Sequence, residues 1–118
     1  MSTKLDSDLL EAIEAEFQSG STAQKEGNLG KARVCARRAL GIALKGYYTG
    51  MGVEFSSSSA FDTIRYMLDD DSAPDDVKER LSAFTQKLAK DSHDQDSYWP
   101  LAVDLLDEAR WIISRLMS

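Results

Sequence analysis

Three arginines sit close together in one stretch of the chain: Arg33, Arg37 and Arg38. On a helix Arg33 and Arg37 are one turn apart and share a face, with Arg38 beside them. Guanidinium groups so placed can grip one phosphate or carboxylate bidentately. They can equally grip a Glu or Asp from a neighbouring helix, and the residue types leave both readings open. Lys31, Arg38 and Lys45 recur every seven residues along a second line of the same segment. From Asn28 to Gly52 there are five bases and no acid, against nine bases and twenty acids elsewhere. The whole chain carries a formal charge of −6. Bulk nucleic acid and anionic membranes repel so acidic a chain. The basic segment is therefore expected either to pair with its acidic neighbours or to form a local anion site.

Other reactive residue types are sparse. His93 is the single histidine and sits in Asp91-Ser92-His93-Asp94-Gln95-Asp96. A histidine among carboxylates can hold a divalent cation, but only where a rigid second shell orients it. A solvated loop is the default reading of this segment. A Ser-His-Asp or Cys-His pair could form only through His93. Asp69, Asp70, Asp71, Asp75 and Asp76 make an acidic cluster without the spacing, glycine or terminal glutamate of an EF-hand loop. It reads as a solubilising loop, with weak cation binding as the alternative. Cys35 is the one cysteine, so neither an internal disulfide nor a cysteine zinc site can form. Beside a stripe of alanines it reads as a small buried hydrophobe rather than a nucleophile. Gly27-Asn28-Leu29-Gly30-Lys31 lacks the spacing of a phosphate-cradling loop. No catalytic residue, metal ligand set or cofactor is assigned, which points away from an enzyme.

Trp111 is an unusual aromatic. Its wheel position lies opposite Leu105 and Ile113, among Asp104, Asp107, Glu108 and Arg115. A large ring on a polar face is a candidate interface anchor, with Arg115, Asp104 and Glu108 around it. The alternative is a wider bundle face covered by the third segment or the N-terminus.

The elements that must position these residues are helical throughout. A first segment, about Asp6 to Gly27, has Leu10, Ile13 and Phe17 at helical spacing, and Gly20-Ser21-Thr22 predicts a kink or break within it. A second, about Leu29 to Thr49, opens with Asn28 as N-cap. It aligns Ala32, Ala36, Ala39, Ala43 and Gly46 on one narrow face. The short turn between them predicts an antiparallel helical hairpin. Gly50 to Ser58 reads as a loop. A short helix follows from about Ala60 to Leu68, capped by Ser59 with Asp62 three residues on, and with Phe61, Ile64 and Leu68 facing inward. A fourth segment, capped by Ser72, carries Val77, Leu81, Phe84 and Leu88 to about Lys90. After a polar loop, Tyr98 and Trp99 lead into a last helix from near Pro100 to about Met117. At 118 residues this is one domain, 1–118: an all-α antiparallel bundle of four main helices plus one short helix.

Glu26-Gly27-Asn28-Leu29-Gly30-Lys31-Ala32, followed by Ala39, resembles the turn and second helix of one tetratricopeptide repeat, with no second copy in the chain. The whole-chain layout resembles the HEPN family of small prokaryotic helical bundles. The similar parts are the long first hairpin with its helix Ala32 to Lys45, and the closing helix Leu105 to Ile113. That resemblance implies kinship with RNases, toxin or antitoxin partners and companions of nucleotidyltransferases, often dimeric. The family's RNase motif, an arginine followed four to six residues later by histidine, is missing here. Neither Arg110 nor Arg115 is followed by a histidine. The resemblance thus implies a non-catalytic member.

The expected function is a non-catalytic interaction module, a homodimer or a subunit of a larger complex, working through self-association or a protein partner. The alternative is a nucleotide- or RNA-binding module using the basic second helix. No apolar run is long enough for a membrane span, and Met1 to Asp6 lacks the apolar region of a secretory signal. With a single cysteine, a cytoplasmic setting is expected.

Overall fold

The structure is a computed structural model that describes residues 7–55, 59–84 and 104–117. The regular elements among those residues are all helices, with no strand. The helices are α1 (Ser7–Lys25), α2 (Leu29–Thr49), α3 (Ala60–Leu68), α4 (Asp75–Leu81) and α5 (Leu105–Met117), with a 3-10 turn at Ser82–Phe84 after α4. None of them is long and apolar enough to cross a membrane.

Local chemistry accounts for the helix ends. Gly27 adopts φ of 83°, the left-handed conformation that stops a helix cheaply only at glycine. Its N–H donates to the Gln24 carbonyl at 3.1 Å, and the Asn28 N–H donates to Ala23 at 2.8 Å. This pair of bonds satisfies the last carbonyls of α1. Asn28 then opens α2, its Oδ1 accepting the Lys31 N–H at 3.1 Å. One residue thus closes one helix and caps the next, so the chain reverses within the turn 26–28. The same pattern ends α2, where Gly52 has φ of 88° and the Val53 N–H donates to the Tyr48 carbonyl at 2.9 Å. Ser59 caps α3 weakly through the Asp62 N–H at 3.5 Å. Asp104 caps α5, accepting from Leu106 at 3.0 Å and Asp107 at 3.3 Å.

Helix α2 lies at the centre, packed against α1, α3 and α5. Its alanine stripe explains this: Ala32, Ala36, Ala39 and Ala43 are all buried. Side chains no larger than methyl let neighbouring backbones come close. Leu40, Leu44 and Tyr48 fill the spaces beside the stripe, against Ile13, Phe17, Ile64, Met67, Leu106 and Ile112. Val77, Leu81 and Phe84 of the α4 region join the same core.

Several expectations are refined. The Gly20-Ser21-Thr22 segment does not break α1, which runs unbroken. Gly20 is buried there because a Cβ would stand 2.7 Å from Leu106 Cδ2 and 3.0 Å from Cys35 Cβ. Phe61 is exposed rather than inward, and Met67 takes the buried place beside Ile64. Ser72 does not cap α4. Pro74 holds the N-cap position, and the Ser72 N–H and hydroxyl both donate to Asp70 Oδ1. Leu88, Tyr98, Trp99 and the start of the last helix near Pro100 lie outside the described residues.

Gly41 tests the close approach directly. A Cβ there would stand 2.7 Å from Ala60 Cβ and 3.0 Å from Ala60 Cα, so the α3 backbone would have to move. Gly41→Ala is expected to lower unfolding free energy by about 1–3 kcal/mol in urea denaturation. Gly30→Ala, with only Asn28 Oδ1 at 3.9 Å, is expected to be neutral or slightly stabilising.

Candidate functional site

The basic line of α2 divides over two surroundings. Arg37 is half-buried, its Cζ 4.8 Å from the centre of the Phe61 ring on α3. That cation–π contact holds the guanidinium over a ring that stays 38% exposed. Burial, and then the neighbouring Arg33 cation, weakens Arg37's hold on its proton. Arg33 is half-buried beside it.

Arg38 is exposed and turns toward α1 and the start of α3. With Lys45 it lines a cleft of about 440 Å³, whose other walls are Glu16, Gly41, Ile42, Ala60 and Thr63. Among the described residues neither Arg38 nor Lys45 has an ion pair. Lys45 belongs to the seven-residue line legible in the sequence. Glu16 and Thr63 carried no sequence signal, because they reach the cleft only through packing. Cys35 lies buried at the α1–α2 contact. Burial pushes its thiol pKa up, and the nearby Glu16 carboxylate adds to that rise. A thiol so placed stays protonated and is a poor nucleophile.

Trp111, Glu108 and Arg115 lie at the α4–α5 seam, and each has a partner on α4. Arg80 of α4 stacks its guanidinium 4.0 Å from the centre of the Trp111 ring. The same guanidinium donates to Glu108 at 3.2 Å. Arg115 donates from Nε to Asp76 Oδ2 at 3.1 Å, which holds the Asp76 carboxyl below its usual range. Asp104 is the α5 cap. The ring left without an obvious neighbour by the helical wheel is covered by α4, and part of it stays open.

A second groove, about 590 Å³, runs between the first half of α1 and the second half of α5. Its floor is Ile13, Phe17 and Ile113, its α1 rim carries Glu11 and Glu14, and Arg110 stands on the α5 side. Arg110 lies 4.2 Å from the Phe17 ring centre, closing one end. Leu10 borders the groove and is 49% exposed.

The acidic triplet has a structural role that the sequence did not disclose. The buried Tyr48 hydroxyl donates to Asp70 Oδ2 at 2.6 Å, joining the end of α2 to the loop after α3. Lys78 Nζ donates to the Asp70 carbonyl at 2.9 Å. Tyr48 also meets Tyr47, Phe55 and Tyr66 edge to face. Among the described residues no group of three or more His, Cys, Asp and Glu side chains could hold a metal ion. His93 lies outside the described residues.

No family model, curated protein or solved structure matches this chain.

The Tyr48 hydrogen bond, followed by the two from Ser72, holds the Asp70 carboxyl below its usual range. A carboxylate with a depressed folded-state pKa stabilises the fold above its unfolded pKa. That contribution is lost as pH falls through the folded value. Stability should therefore fall as pH drops below about 4. In urea titrations across pH, Asp70→Asn should flatten this acid limb, and Tyr48→Phe should flatten it in part. An acid limb unchanged in both variants would remove the role given to this pair.

Proposed function

We propose that this chain is a non-catalytic helical interaction module, built as an antiparallel bundle of four main helices plus one short helix. It works as a homodimer or as a subunit of a larger complex, through self-association or a protein partner, in the cytoplasm. The observation that carries this reading is the α1–α5 groove. It combines an apolar floor, a half-exposed leucine and rims of opposite charge. Exposed apolar surface bounded by charge is typical of contact sites. The open part of Trp111, with Glu108, Arg115 and Asp104 around it, adds a neighbouring face. The HEPN-like layout without the Arg–His motif supports the same reading.

A nucleotide- or RNA-binding module is the second reading. Arg38 and Lys45 favour it, because both face one cleft without an ion pair among the described residues.

Light scattering at micromolar concentration tests the first reading, with affinity capture from source cells for a partner. A mass near twice 13.1 kDa, or a discrete captured protein, is expected. Leu10→Asp and Trp111→Ala should each weaken that association by about tenfold or more. A monomer that captures nothing would overturn the reading. Association unchanged in both variants would remove these two faces from it.

A further inference from the structure

We propose that the cleft between α1, α2 and α3 binds a small organic phosphomonoester, its phosphate held between Arg38 and Lys45. The inference rests on the second reading of α2 as an anion-binding helix and narrows it to one site and one ligand class.

Arg38 and Lys45 are two turns apart on one face of α2, about 10 Å along the axis. Both side chains are long enough to meet over the turn between them. That turn presents Gly41, pressed against Ala60, so the cleft has a floor made of backbone and a methyl group. Half-buried Ile42 adds an apolar wall. A volume of about 440 Å³ suits a small organic molecule.

Charge selects the anion. Arg38 and Lys45, without an ion pair among the described residues, outnumber the one carboxylate of the cleft, Glu16, so its net positive charge attracts a phosphomonoester, which carries about −1.5 to −2 at neutral pH. The three acceptor oxygens of a phosphate can reach both cations at once, which the two of a carboxylate do less readily across this span. Glu16 on the facing α1 wall sets the upper limit. It can accept a hydrogen bond from a hydroxyl or amino group of the ligand body, and it repels the continuous charge of a polyanion. Arg33 and Arg37 do not line the cleft, and Arg37 is committed to Phe61. The site thus differs from the bidentate pair that sequence spacing alone would choose.

The test is an amide NMR titration of the full chain at low salt. The probes are phenyl phosphate, inorganic phosphate and a single-stranded RNA oligonucleotide. Phenyl phosphate is expected to shift Gly41, Ile42, Ala60 and Thr63 saturably and to bind more tightly than inorganic phosphate. Arg38→Gln and Lys45→Gln should each weaken it by about tenfold or more, while Arg33→Gln leaves it unchanged. Arg38 and Lys45 are exposed, so these variants should fold, and an unchanged circular dichroism spectrum checks this. Binding lost in Arg33→Gln but kept in Arg38→Gln would overturn the cleft and leave the second reading standing. RNA binding without saturable phenyl phosphate binding would do the same. Failure of all three probes would overturn both.

Discussion

A helix that touches three others around its circumference cannot carry large side chains on every contacting face. That constraint governs α2. Its alanines and Gly41 replace side-chain volume with backbone proximity, and Gly20 of α1 makes the same concession where α5 crosses. Alanine also favours the helix intrinsically, which offsets the cost of the glycines nearby. The apolar area that stabilises the core comes from residues beside the stripe, such as Leu40, Leu44 and Tyr48, and from the partners facing them.

The same close packing shapes the surface. Where α3 is drawn against Gly41, Arg38 and Lys45 flank the contact and a cleft lies between them. Beside the approaches of α5 to Gly20 and Phe17, the outer halves of α1 and α5 leave a groove. Both candidate sites are thus by-products of a helix that holds its neighbours near its middle. Their chemistry differs because the acidic residues of α1 face the second and the basic line of α2 faces the first.

Much of this was legible in the residues. The limits of α2, its cap at Asn28, the turn at Gly27 and the alanine stripe are local or periodic features, and a single sequence carries them. Gly20 is a different case. Propensity reads a mid-helix glycine as a weak point, and only the Cδ2 of Leu106 shows why it is there. Phe61 fits a helical spacing that would bury it, yet Arg37 from another helix covers it at the surface. Spacing alone leaves Trp111 open to a free or a covered position, because the covering residue, Arg80, lies thirty-one positions away in the chain. The Lys31–Arg38–Lys45 line was visible as spacing. Its division from Arg33 and Arg37 depends on where α1 and α3 pack, and no local pattern encodes that.

The ties between α4 and α5 also bear on the order of assembly. The Arg80–Glu108 and Arg115–Asp76 pairs join residues 28 and 39 positions apart, whereas the α1–α2 hairpin closes through a turn at 26–28. Contacts between near neighbours form early, because little chain entropy is lost in closing them. The hairpin is therefore expected to form first, with α5 docking afterwards onto its surface. The buried face of α5, with Leu106, Ala109 and Ile112, holds it to α2, while the pairs that tie it to α4 lie at the exposed edge, where salt screens them. Ionic strength should then loosen only the α4–α5 edge, and leave both the buried face of α5 and the α1–α2 hairpin in place.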